Sequence, residues 1–268
     1  MTRKFTLGCD PEVFLTDARG ALVASCGKIG GDKSMPLPLP IGDGFYMLED
    51  NVAIEFNTAP AESKEQFEQA IEKSLTFIRQ YVGDTLDLTL SPISAAYFPA
   101  SELAHPGAFE FGCEPDFNAW KDGQRNPKPQ AADRTLRSCG GHIHVGGFAD
   151  LSREQKIQLV KYCDLFTGVT SVVMDQKGTL RRGLYGGAGA FRYKPYGIEY
   201  RTPSNFWITK REYTDWAWDS IAGAVNAFEE GVIDIDKIGP EIIESINNNN
   251  LKMAKHLVNV YNLPVVHA

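Results

Sequence analysis

Four apolar segments of this chain each carry two polar side chains at positions i and i+2: Asp10 with Glu12, Glu55 with Asn57, His142 with His144, and Glu199 with Arg201. In a β-strand such residues point to the same side. Their neighbours are apolar (Val13 and Phe14, Ile54 and Phe56, Ile143 and Val145, Ile198), so each segment reads as a strand with one buried and one polar face. If the pairs share one sheet face, that face gathers Asp10, Glu12, Glu55 and Glu199 around two imidazoles. Desolvated like charges at that density repel strongly unless cations intervene. Divalent metals are the natural solution, and oxygen-rich ligation with one nitrogen suits Mg²⁺ or Mn²⁺ better than Zn²⁺.

The remaining pattern is mixed. Strands are expected over 5–15, 20–26, 45–48 and 51–58, with turns at Asp17–Gly20 and Asp43–Phe45, and again over 86–93. Ser63–Gln66 and Ser152–Gln155 are capping-box patterns. Behind the first, Phe67, Ile71, Leu75, Ile78 and Val82 mark a helix of about five turns. Behind the second, Ile157, Val160, Cys163 and Phe166 mark another; Trp218, Ile221, Val225 and Phe228 mark a third. The tail is helical with an Asn-rich interruption at 247–250, while 97–140 reads as a long ordered loop. No linker or repeat divides the 268 residues, so a single domain over 1–268 is expected.

Composition excludes several classes. A net charge of −7 argues against a nucleic-acid platform, and no apolar run is long enough for a bilayer. Five cysteines, none in CxxC spacing, point to reduced thiols and a cytoplasmic setting. The acid at Asp10 interrupts any signal-like core. A zinc amidohydrolase would need histidine ligands beyond the HxH pair, and His105, His256 and His267 have no acidic strand partner. GKIGGDKS at 27–34 imitates a phosphate loop, but Asp32 replaces the second glycine and the prolines behind it forbid the helix such a loop must open. Lys28 and Lys33 read either as surface lysines or as phosphate contacts. From Lys177 to Arg201 six basic residues surround one acid, and the glycines of YGGAG let backbone amides approach an anion. A solvated basic loop is the alternative.

GCDPE (8–12), EDNVAIEFNTAPAES (49–63), CGGHIHVG (139–146) and RRGLYGGAGAFRYKPYGIEYRTPSNFW (181–207), in that order, resemble the phage carboxylate–amine (COOH–NH2) ligases, relatives of glutamate–cysteine ligase and glutamine synthetase. The resemblance implies an α+β fold: a mainly antiparallel curved sheet whose concave face binds ATP and Mg²⁺ or Mn²⁺, with helices on its convex face. It implies metal ligation by Asp10, Glu12, Glu55, His142 and Glu199, and a phosphate clamp at Arg201. Arg182 and Arg192 are expected to join Arg201 in catalysis. Arg181, Arg182, Lys194, Gly187, His144 and Lys33 are expected to contact the nucleotide. The implied reaction is ATP-dependent amide formation through an acyl phosphate, from a small-molecule or peptide carboxylate and an amine, in the host cytoplasm if the chain is phage-encoded. A guanidino-kinase-like phosphotransferase and a non-catalytic nucleotide-binding protein are the competing readings. A proline between Asp10 and Glu12 removes a ladder hydrogen bond, so that strand is expected at an edge or bulged. The near copy GCEPD (112–116), with Glu114 and Asp116, reads either as a structural turn or as a rim contacting the acid or amine.

Overall fold

The computed structural model describes residues 3–108, 116–127 and 133–266. Glu114 and Cys113 of the second pentad therefore lie outside the described residues, and only Asp116 of its acids is placed.

The first expected strand is two. β1 (Thr6–Cys9) and β2 (Glu12–Thr16) are separated at Asp10–Pro11. Pro11 cannot donate to a ladder, and the chain uses that break to pass from one sheet to another. β2 is followed by β3 (Leu22–Val23), β4 (Leu37–Pro38) and the hairpin of β5 (Tyr46–Asp50) and β6 (Ala53–Asn57). Next comes α1 (Lys64–Leu86), whose Ser63 hydroxyl accepts from Gln66 N. Its expected apolar stripe, Phe67 to Val82, is buried throughout. β7 (Thr89–Ser91) and β8 (Ala95–Tyr97) follow.

The stretch expected as loop contains short strands among its described residues: β9 (Phe117–Asn118), β10 (Gln124–Arg125) and β11 (Leu136–Ser138). Pieces this short show no period of their own and form only because a neighbouring strand pairs with them. β12 (Ile143–Gly146) holds the histidines. α2 (Arg153–Cys163) opens with a complete capping box, and a π-turn at Asp164–Gly168 carries it into α3 (Val169–Met174). After the short α4 (Thr179–Arg182) comes a hairpin of β13 (Ala190–Lys194) and β14 (Gly197–Tyr200), so the second half of the expected basic loop is strand. α5 (Arg211–Glu230), α6 (Gly239–Asn247) and α7 (Leu251–Tyr261) complete the chain, the last two parted by the Asn-rich break.

The strands form two main antiparallel sheets, ordered β1-β12-β14-β13-β9-β10 and β3-β2-β6-β5-β4, with β7 also paired to β2. The fold is thus mixed α and antiparallel β. In the first sheet Ile143, Val145, Ile198, Tyr200 and Phe191 are fully buried, and α2 packs against β13 and β14. The alternate residues, His144, Glu199 and Arg192, project from the other face. Their register is direct: Gly8, His144, Glu199 and Arg192 stand opposite one another across β1, β12, β14 and β13.

Candidate active site

The expected pairs do not lie on one sheet face. The break at Pro11 splits the first pair, and each acid joins a different group. Asp10, His144 and Glu199 offer ligand atoms that all lie within 4.8 Å of one another, and so do Glu12, Asp50 and Glu55. The first group belongs to the β1 sheet. The second is built by the other sheet, where Glu12 pairs directly with Glu55 across β2 and β6. Asn57 stands at the end of β6 opposite Tyr46 and joins neither group.

In the first group, Asp10 Oδ2 is 3.2 Å from His144 Nε2, and Oδ1 is 3.3 Å from His142 Nδ1. Burial alone would raise the Asp10 carboxyl, but the two imidazoles override it and hold it well below the usual carboxylate range. His142 is pushed down to about 4 by burial and by the Arg201 guanidinium, so it is neutral at pH 7. His144 is the contrary case: burial pulls it down, yet Asp10 and Glu199 leave it raised. The expectation had His142 as ligand and His144 beside the nucleotide; in the three-atom group the histidine is His144, and His142 lies between Asp10 and Arg201. Glu199 has no exposed surface and is enclosed by cations. Its Oε1 accepts from Arg201 and, at 3.2 Å, from Arg192; Lys194 Nζ stands 2.7 Å from Oε2, off the hydrogen-bonding direction. Burial and Asp10 push the Glu199 carboxyl up, but the guanidiniums and His142 bring it to about 2.

The second group has fewer cations. Glu12 Oε2 accepts from Gly140 N at 2.7 Å, yet burial and Asp50 raise its carboxyl to about 7. Burial with Asp10, Asp50 and Glu12 drives Glu55 well above its ordinary value. Lys33 forms an ion pair with Asp50 at 3.0 Å, and although burial lowers its ammonium, Asp50 and Glu55 raise it overall. The phosphate-loop imitation explains how Lys33 is aimed. The backbone amides of Gly27, Lys28, Ile29 and Gly30 all donate to the Glu49 carboxylate at 2.7–3.0 Å, so this turn is an anion nest filled from within. Lys28 itself donates to Ala24 O. Asp50 was missed by the sequence reading, since its companion acids lie on other strands rather than two residues away.

A cleft of about 690 Å³ opens onto the second group through Glu12 and Asp50, and is lined also by Arg181 and by His142 and Arg201, which border the first. Arg181 is buried, donating to the carbonyls of Thr202 and Arg201 with its Nε unpartnered. Arg182 is not brought to the carboxylates. It donates to Asp175 O and Asn249 Oδ1 and joins neither ligand set. Asn247 Oδ1 likewise accepts from Ala188 N at 2.8 Å. Arg182 and Gly187 line a neighbouring cleft of about 1050 Å³, which shares Asp116, Leu184, Tyr185 and Gly186 with the first. Asp116 thus stands where the two clefts join. Another missed residue is Asp164 in the π-turn, which accepts from Trp120 Nε1, Tyr200 Oη, Thr202 Oγ1 and Gly189 N. It ties the helix layer to the strand end that carries Glu199 and Arg201.

The described cysteines Cys9, Cys26, Cys139 and Cys163 are buried free thiols, and no described helix is long and apolar enough to cross a membrane. Residues 134–226 match the family described as "Phage phiEco32-like COOH.NH2 ligase-type 2". No curated protein matches the chain. Among solved structures it is similar to a bifunctional glutathione synthetase from Pasteurella multocida, at 12% identity and a TM-score of 0.44, covering 97% of this chain and 49% of that one. The chain spans about half the length of that protein. The family resemblance carried by the motifs is borne out over residues 134–226, where this chain is similar to the amide-bond-forming COOH–NH2 ligases.

Proposed function

We propose that residues 1–268 form one catalytic domain of the glutamine synthetase and glutamate–cysteine ligase type, which joins a carboxylate to an amine with ATP and Mg²⁺ or Mn²⁺. One observation carries the reading: two ligand sets flank Pro11, and in the first the buried Asp10 Oδ1, His144 Nε2 and Glu199 Oε2 make no hydrogen bond and meet only ion-pair neighbours at 2.7–3.3 Å. A buried polar atom left unmade is costly, and a divalent cation satisfies all three. The oxygen-rich sets fit Mg²⁺ or Mn²⁺. Asp10, His144 and Glu199 would hold one ion, and Glu12, Asp50 and Glu55 another; when bound, they neutralise phosphate charge.

In the reaction the acid's carboxylate oxygen attacks the γ-phosphorus of ATP, releasing ADP and leaving an acyl phosphate. The amine nitrogen then forms the C–N bond, phosphate leaves, and the nitrogen gives up a proton. Arg201, held by Glu199 and beside His142 in the cleft, stabilises the transferring phosphoryl group; Arg192 supports it through Glu199. Lys194 and Lys33 balance the carboxylates from the rim of each set. No side-chain nucleophile is required, which agrees with the buried thiols.

The test is ADP release with Mg²⁺ and pooled acids and amines, with products read by mass. Turnover is expected only when both substrates are present. Glu55→Gln and Arg201→Ala are each expected to lower it at least a hundredfold. Undiminished turnover in both variants, or a phosphorylated acceptor persisting as the end product, would sink the ligase reading.

The titration behaviour of the ligands gives a second expectation. Glu12, Glu55 and His144 hold protons more tightly than free side chains, and a ligand must lose its proton to bind metal. Mn²⁺ affinity is therefore expected to fall as pH drops below about 7, roughly tenfold per unit for each proton displaced. Calorimetry in buffers of different ionisation enthalpy would count the protons released. A pH-independent affinity between pH 6 and pH 8 would contradict it.

A further inference from the structure

Tyr196 stands outside both ligand sets, and no step of the proposed reaction uses it. It occupies the two-residue turn between β13 and β14, where Lys194 and Gly197 pair across the base. The turn is pinned, since Phe148 N donates to Tyr196 O at 2.9 Å. The tyrosine ring lies against His144 with centroids 6.0 Å apart and planes inclined by 24°. Its hydroxyl is 2.8 Å from His144 Nδ1. The other ring nitrogen, Nε2, faces Asp10 Oδ2 at 3.2 Å and has no hydrogen-bond partner.

A neutral imidazole offers a lone pair on one nitrogen and carries its proton on the other. When the Nε2 lone pair is given to a cation shared with Asp10 and Glu199, the proton belongs on Nδ1, where the Tyr196 hydroxyl is placed to accept it. We infer that Tyr196 is a positioning residue: its hydroxyl accepts the Nδ1 proton of His144 and so fixes the tautomer and ring orientation that present Nε2 to a divalent cation. This rests on the metal reading above. Contacts of this outer kind typically change metal affinity 10–100-fold when removed. The same turn also delivers Lys194 to Glu199, so two residues at a hairpin tip steer two neighbours in the cross-strand row.

The experiment is a Mn²⁺ titration of the full chain, followed by electron paramagnetic resonance without nucleotide. The proteins are the parent, Y196F, Y196L, H144Q and Y196F/H144Q. Tyr196 is 39% exposed on a turn, so both single replacements are expected to fold. Y196F and Y196L should weaken Mn²⁺ binding about tenfold and equally, because both lose the hydroxyl. In the H144Q background the tyrosine change should have no further effect, since the contact it serves is already gone. Three results would overturn the inference: unchanged affinity in Y196F, a loss confined to Y196L, or the same loss with and without His144. If the parent itself binds no Mn²⁺, the metal reading fails first, and the tyrosine role fails with it.

Discussion

A Glu199→Gln protein is expected to be about 3 kcal/mol less stable than its parent and to lose at least a thousandfold in ligase turnover. Glu199 is fully buried, and it is the shared anion of Arg201, Arg192 and Lys194. Gln is nearly isosteric, so cavity formation does not enter; the change is one of charge. Removing the anion of a buried ion-pair cluster leaves its cations with their largest compensating charge gone, which is the costly case. Relief of the repulsion between Glu199 and Asp10 offsets part of the loss. The pH dependence separates this from loosened packing. The Glu199 carboxyl is lowered from 4.5 to about 2, so its contribution is full above pH 4.5 and disappears as pH falls through about 2. The difference between parent and variant in urea unfolding should therefore be largest near neutrality and shrink in acid. A variant as stable as the parent at pH 7 would mean that the three cations do not depend on Glu199.

Much of this site was legible because its signals are local. Both serine N-caps join residues three apart, and the ligand strands show their two-residue period within single segments. What could not be read is how strands meet. Asp10 and Glu12 look like partners on one face, yet Pro11 sends them to different sheets. Asp50 has no acid two residues away to mark it, and only the β5–β6 hairpin brings it to Glu12 and Glu55. Arg182 shares the basic run with its neighbours, but Asp175 and Asn249, both distant in sequence or held by turn geometry, claim its guanidinium. The β13 strand had its own period, with Phe191 and Tyr193 alternating against Arg192 and Lys194. Glycines before it and a proline after it pointed to loop, and pairing with β14 prevailed.

The two glycines before His142 should behave differently when given a side chain, and the difference tests how the histidine strand is seated. A Cβ on Gly141 would lie 2.2 Å from Ser204 O and 2.4 Å from Trp207 Nε1. Neither can yield easily. Gly141 N donates to Pro203 O, Trp207 Nε1 donates to Gly141 O, and the buried indole stacks on Phe67 of α1. Gly141→Ala must therefore shift backbone or core, with an expected loss of about 3 kcal/mol, or roughly 6–12 °C in Tm. A Cβ on Gly140 instead meets His142 Nε2 at 2.4 Å, the far end of a side chain that can rotate. Gly140→Ala should keep most of the stability while turning the imidazole away from the cleft, so its turnover falls further than its Tm. Thermal unfolding and turnover of the two proteins, measured together, decide the matter. If Gly141→Ala melted with the parent, the close seating of β12 against Ser204 and Trp207 would be wrong, and with it the placement of both histidines.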